Sequence, residues 1–188
     1  MAILIKHYEG NKIYPIFHAA LPLVFTEIPQ IKKLKINRLS LLIGSLLPDI
    51  IDKPLFLLGL GNGRFLSHNL LFMTISFLIV YFSSKRNKNI SFPFLAGLIF
   101  HLILDIPYVP LFYPFISYEF HYLEEPLLYW LRKLWTDPFV FITEITGLLI
   151  MLFILIKNKL YHKKEISDYL RGVNQTFTKS SKEIEIDA

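Results

Sequence analysis

Cysteine is missing from this 188-residue chain. Disulfides and thiolate metal sites are therefore excluded, and any metal has to be held by His and carboxylates. Charge is also scarce, at 19% of residues. Lys and Arg outnumber Asp and Glu, giving a net charge of +5 and a pI near 9.3. That excess lies in short runs flanking apolar segments, with no basic face interleaved with aromatics, so no nucleic-acid partner is expected. There is no G-x-S-x-G nucleophile elbow and no P-loop. Internal repeats and low-complexity tracts are absent as well. The opening MAILIKHYEGNK has no apolar stretch followed by a small-residue cleavage site and reads as mature sequence.

What the chain does have is apolar length. Hydrophobic residues make up 53% and aromatics 15%, with a mean hydropathy of +0.45. They cluster in runs such as 138–156, PFVFITEITGLLIMLFILI, which is apolar on every face. A soluble helical protein of this size has one core and buries such segments poorly. The expected fold is an all-α, polytopic membrane helix bundle of four to five spans, with the lipid bilayer as its first partner. Residues 1–156 form the bundle domain and 157–188 a polar tail, basic at first and then mixed.

Residues 13–29 are apolar but hold Pro15, His18 and Pro22, a weak span; 31–38, IKKLKINR, are a basic loop. Residues 39–60 are long enough to cross, but Pro48 removes a backbone hydrogen bond and is expected to interrupt the helix beside Asp49. Gly61, Gly63 and Arg64 form a tight turn, after which 66–84 and 90–106 read as helices. Residues 107–137, with Glu119, His121, Glu124 and Glu125, look like an interfacial loop holding an amphipathic helix around 123–134. The tail past Lys157 is expected to be an exposed helix fraying into disorder. The positive-inside rule puts the loops at Lys32/Lys33/Lys35/Arg38 and Lys85/Arg86/Lys88, and the tail from Lys157, in the cytoplasm of a cell-membrane protein. His18, Asp52, His68, His101, Asp105 and Glu144 then fall in the outer halves of their segments, with Asp49 nearer the middle.

An ionisable side chain in hydrocarbon needs a partner or a watered cavity. His101 and Asp105 are one helical turn apart, and Asp49 and Asp52 share a face if helix persists past Pro48. His and Asp on adjacent helices are how bundles build internal metal sites. Imidazole with carboxylate suits zinc, manganese or iron, and the number of groups is enough for a two-metal centre that activates water. Separate readings exist for each residue. His18 could bond a backbone carbonyl, Asp49 could cap a restarting helix, and Asp52 could pair with Lys53. His68, at a helix start, could be packed in a core, and His101 and Asp105 could bond each other. Glu144 could make an interhelical bond, and Arg64 could snorkel or hold an anionic group. Taken together these require several costly buried charges at one depth, and a shared cation explains them jointly.

GSLLPDIIDKP, then GNGRFLSHNLLF, FHLILD and TEITGLLI, resemble the membrane-bound metal-dependent hydrolase family (YdjM-like). That family's pattern is an early His, an LLPD-hydrophobic-D-K-P stretch, an H-S-L-L helix start and a downstream H-x-x-x-D. The resemblance implies a small membrane bundle in which His18, Asp49, Asp52, His68, His101 and Asp105 are the metal or catalytic set. Asn69 stands where the family usually has Ser. The expected function is a divalent-metal-dependent hydrolase acting on a membrane-associated or lipid-linked ester or phosphoester, the metal being zinc or manganese. Asp52 or Glu144 would be the base, and Arg64 would orient an anionic group. A transporter or metal-handling protein using the same cluster is the alternative, and a purely structural role for the polar groups a third. Transporters often have paired halves with matching broken helices; here one segment holds a proline beside an acid, which favours an enzyme.

Overall fold

Four of the long helices start behind an Asn or Asp whose side chain accepts one of the orphan N–H groups of the first turn. Asn37 takes Ser40 N, Asn69 takes Phe72 N, Asn87 takes Asn89 N, and Asp137 takes Phe139 N and Val140 N. The protein is described by a computed structural model covering residues 14–60, 63–118 and 125–172. Among these residues there are eight helices and no strands: α1 Pro15–Phe25, α2 Pro29–Lys32, α3 Arg38–Leu57, α4 Leu70–Ser83, α5 Lys88–Asp105, α6 Pro126–Thr136, α7 Pro138–Lys157 and α8 Lys163–Arg171. The all-helical expectation is met. Glu119, His121 and Glu124 lie outside the described residues; Glu125 is exposed.

Two helices, α5 and α7, are long and apolar enough to cross a membrane. Helix α3 matches α7 in length at 20 residues but carries Asp49, Asp52 and Lys53. Helix α1, with 11 residues, extends about 16 Å at 1.5 Å per residue, roughly half of a hydrocarbon core. Large apolar side chains such as Ile50, Ile79, Ile103, Ile142 and Leu149 are exposed on the outside of α3, α4, α5 and α7. Helix α6 is amphipathic in an outward sense: Leu127, Leu128, Leu131 and Trp135 are exposed, while Trp130 stacks inward on Tyr14 with ring centroids 4.9 Å apart.

The expected interruption at Pro48 does not occur, because α3 runs continuously through both Pro48 and Pro54. Two carbonyls on this part of the helix take donors from neighbouring segments. Ser45 O accepts His101 Nδ1 at 2.7 Å and Pro48 O accepts Ser67 Oγ at 2.7 Å. These contacts tie the proline-bearing stretch of α3 to its neighbouring segments. The expected helix from residue 66 is corrected as well: α4 starts at Leu70. Asp52 accepts both Leu66 N and Ser67 N, which holds 66–69 out of the helix. Gly63, at φ 80°, makes the left-handed turn leading into this segment.

Helices α3 and α5 pack most closely. A Cβ on Gly44 would lie 2.1 Å from Phe94 O, and one on Gly97 would lie 2.2 Å from Leu41 O. The backbones meet because both positions lack a side chain. Gly147 on α7 similarly admits the backbone of Phe17 on α1. Glu144, one turn earlier on α7, accepts the Phe17 N–H at 3.1 Å and so caps α1 from the neighbouring helix. At the opposite end of α1, Glu27 pairs with Lys157 of α7 and Arg38 of α3. Helices α1 and α7 are therefore parallel, and α3 runs against α1. The helix past Lys157 is present but not free-standing. Tyr169 of α8 is buried in an apolar cluster with Leu23, Ile154 and Leu160.

Candidate metal centre

One end of the bundle gathers the start of α1, the second half of α3, the segment before α4 and the end of α5. Each supplies part of a polar cluster, and each of three imidazoles is anchored there through Nδ1. His101 Nδ1 faces Ser45 O at 2.7 Å, His18 Nδ1 faces Tyr14 O at 3.2 Å, and His68 Nδ1 faces Asp52 Oδ2 at 2.8 Å. A carbonyl oxygen only accepts, and Asp52 already accepts two backbone N–H groups, so the proton of each pair belongs to the ring. All three tautomers are thereby set, and each Nε2 is left to face inward.

The inward atoms converge. His68 Nε2 and His101 Nε2 are 3.0 Å apart. His68 Nε2 lies 3.5 Å from Asp49 Oδ1 and 3.3 Å from Asp105 Oδ2. His101 Nε2 lies 3.6 Å from Asp105 Oδ2, and His18 Nε2 3.6 Å from Asp105 Oδ1. Two overlapping triads, His18–His101–Asp105 and Asp49–His68–His101, each have their ligand atoms within 4.8 Å of one another. His18, His68 and His101 are all 0% exposed. His18 Nε2, both Asp49 carboxylate oxygens and Asp105 Oδ2 are buried without a hydrogen-bond partner.

These are the marks of a donor set suited to a cation. Ligand–metal bonds of about 2.1 Å put neighbouring donors about 3.0 Å apart in an octahedron and about 3.4 Å apart in a tetrahedron. The observed separations span that range. Two bare imidazole lone pairs at 3.0 Å repel each other unless a proton or a metal ion lies between them. Imidazole and carboxylate donors without sulfur fit zinc, manganese or iron.

The residues expected from the sequence divide in a definite way. His18, Asp49, His68, His101 and Asp105 are brought together. Asp52 is adjacent but turned to other work, its oxygens engaged by Leu66 N, Ser67 N and His68 Nδ1. Arg64 is buried, and its Nη2 donates to Asp105 Oδ1 at 2.5 Å. Glu144 is held at Phe17 N, one residue from His18 in the chain. Lys53 pairs with Asp49 at 3.2 Å rather than with Asp52.

Three contributors escaped the sequence reading, and a fourth was assigned to the wrong acid. Tyr14 and Ser45 supply the carbonyls that fix two imidazoles, Ser67 ties the His68 segment to Pro48 O, and Lys53, expected at Asp52, neutralises Asp49. Tyr14–His18 and Asp49–Lys53 have the i, i+4 spacing that gives such contacts in a helix. Ser45 O and Ser67 Oγ depend on tertiary placement and leave no local signal.

An all-helical chain with lipid-sized apolar faces and a buried His–Asp cluster defines a membrane bundle with an internal polar site. Residues 15–166 match the family described as YdjM inner membrane protein, and the chain belongs to that family. The description names a location, the inner membrane, in agreement with the two membrane-length helices. No curated protein and no solved structure matches the chain.

Proposed function

We propose that this chain is an integral-membrane, divalent-metal-dependent hydrolase of anionic esters, with lipid-linked phosphoesters as the substrate class. The observation behind this reading is the gathering of three Nδ1-anchored imidazoles and two carboxylates into two overlapping buried triads. His18, Asp49, His68, His101 and Asp105 would hold zinc or manganese, with His101, common to both triads, giving its single free lone pair to one ion. Such an ion supplies Lewis acidity toward a substrate oxygen and lowers the pKa of water. Asp52 orients His68 and raises its basicity as a ligand. Glu144 holds the first turn of α1 and with it the position of His18.

Charge supports the substrate class. Asp49, Asp52 and Asp105 stand against Lys53 and Arg64, leaving about one negative charge among these five groups. A single divalent ion reverses that sign, and an anionic group then restores balance in a region of low dielectric. Arg64, paired with Asp105, is positioned to share its guanidinium with such a group.

In this reading α1, α3, α4, α5 and α7 make up four to five crossings. The site faces outward, and the Lys157 end, with the tail, is cytoplasmic. A reporter fused after Lys159 that reads external would overturn the sidedness. Complete burial of the three imidazoles also fits the alternative, an occluded ion in a transporter. Elemental analysis of detergent-purified protein, followed by release of phosphate or alcohol from lipid phosphoesters with and without chelator, separates the two. An enzyme retains its metal and turns over only when loaded. Metal that exchanges freely, with no turnover, favours transport, and protein that binds no divalent metal refutes both.

A further inference from the structure

A second polar cluster lies at the end of the bundle away from the His–Asp site. Glu27 follows α1, and its side chain is only 3% exposed. Lys32 Nζ of α2 and Lys157 Nζ of α7 each lie 3.2 Å from its Oε2. Arg38 Nη2 of α3 is 3.8 Å from Oε1, and Tyr169 of α8 donates its hydroxyl to Oε1 at 3.1 Å. Three cations thus share one carboxylate, and two positive charges remain uncompensated. The two partners differ in accessibility. The acid is buried, whereas the Lys32 and Lys157 side chains are 38% and 40% exposed.

From outside, this surface presents two ammonium groups held by a carboxylate beneath them. Each is within bonding reach of the same oxygen, so their separation is at most about twice an ordinary hydrogen-bond length, a span a phosphate can bridge. Lys32 also donates to Asn158 Oδ1 at 3.0 Å, which fixes its direction. Beside the pair the surface turns apolar at once. Ile28, Phe153 and Ile156 are exposed, and Lys157 Nζ stands 5.3 Å from the centre of the Phe153 ring. Preorganised cations bordering lipid-facing hydrocarbon are the arrangement that recognises an acidic headgroup with its acyl chains attached.

We propose that Lys32 and Lys157, arranged by Glu27, form a binding site for the phosphate headgroup of an anionic phospholipid, whose acyl chains lie along Phe153 and Ile156 of α7. The site is independent of the metal centre and of the hydrolase reading. It joins α1, α2, α3, α7 and α8 where their ends meet, so occupancy braces the same end of the bundle that α8 closes.

The test uses the full chain in detergent, titrated with phosphatidylglycerol, phosphatidylcholine or inorganic phosphate, and read by native mass spectrometry and thermal unfolding. Wild type should retain phosphatidylglycerol and gain thermal stability from it, and phosphatidylcholine should do neither. The double variant Lys32→Gln/Lys157→Gln should bind phosphatidylglycerol roughly 30-fold more weakly, as two surface lysines imply. The control Lys85→Gln/Lys88→Gln, which removes the same charge from the α4–α5 loop and the first residue of α5, should bind as wild type. Equal loss in both variants, or equal binding of the two lipids, would overturn the proposal. So would equal protection by inorganic phosphate, which would assign the cluster to a free anion. Unaltered metal content in the Lys32/Lys157 variant would establish that any loss is local.

Discussion

His68 and His101 present their Nε2 atoms to each other at 3.0 Å, while the Nδ1 of each is committed to an oxygen acceptor, Asp52 Oδ2 for one and Ser45 O for the other. Neither ring can flip its tautomer without losing a buried hydrogen bond, so the space between them calls for a positive charge. His101→Ala should therefore reduce bound divalent metal at least about tenfold, and His68→Ala should do the same. Chelator should lower the melting temperature of wild type and leave either variant almost unchanged, since a ligand stabilises only the form it binds. Elemental analysis beside thermal scans decides the matter. Wild-type metal content in both variants would remove the centre.

Asp52 provides a finer probe because it touches the site through His68. Asp52→Asn keeps the shape but replaces one acceptor oxygen with a donor, so either a backbone N–H or the His68 Nδ1–H loses its partner. Metal affinity should fall roughly 10–100-fold, the usual effect of removing a carboxylate behind a ligating imidazole. Asp105→Asn, changed at a converging oxygen, should cost more. Competition with a fluorescent chelator ranks the two, and the opposite order would make Asp52 the direct ligand.

The α3–α5 crossing is a structural precondition of the same site. Gly97→Val places carbon atoms where Leu41 O and Ser45 N now stand, and the helices have to separate. His101 then loses Ser45 O. Overpacking of this kind costs about 1–3 kcal/mol, and more where backbone is the obstacle. Both the melting temperature and the metal content should fall, although residue 97 contributes no side chain to the site. A Gly97→Val protein with normal metal content would mean that the close approach does not set the imidazole.

Much of this arrangement could be read in the chain and some could not, for physical reasons. His101 and Asp105 at i, i+4 and the acids of α3 announce themselves, because charge in apolar sequence is costly and visible. Their convergence follows from helix ends that alternate along the chain. The prolines of α3 do not end it, because a proline removes one N–H from the ladder and leaves the rest of the helix bonded; tertiary contacts that sequence does not show then hold the helix through Pro48. The start of α4 was misplaced for a related reason. Apolar periodicity begins at residue 66, but Asp52, distant in sequence, claims the first N–H groups. Docking of α8 was hidden as well, since its charged residues give a solvated appearance while Tyr169, with Leu170 packed beside it, makes the buried contact.

Asn69 departs from the Ser that the resemblance leads one to expect, and the structure gives it a task either residue performs. Its side chain accepts Phe72 N at 2.8 Å as the N-cap of α4. Asn69→Ser should leave stability within a few tenths of a kcal/mol, and Asn69→Ala should cost about 1 kcal/mol. Chemical unfolding in mixed micelles measures both. A strongly destabilised Asn69→Ser would show that the amide's second bond, to Leu66 O at 2.9 Å, matters more than the cap.

Glu27 gives the opposite end of the bundle a pH dependence of definite sign. Burial alone would raise its pKa, but the bonds from Lys32, Asn158 and Lys157, with the charge of Lys32, bring it below the ordinary carboxylate value. A depressed folded pKa means that ionised Glu27 stabilises the fold above its unfolded value, near about 4.3, and that this contribution is lost as pH falls through the folded pKa. Burial against Glu27 also pushes the Tyr169 hydroxyl up to about 12, so it remains a donor throughout that range. At pH 7 wild type should therefore melt at a higher temperature than Glu27→Gln, and the gap should narrow as pH drops below the carboxylate range. Paired thermal scans from pH 7 to pH 3 measure the difference directly. Because the other titrating groups are common to both proteins, a gap that stays constant would locate the stabilisation in packing instead of in the charge shared with Lys32, Lys157 and Arg38.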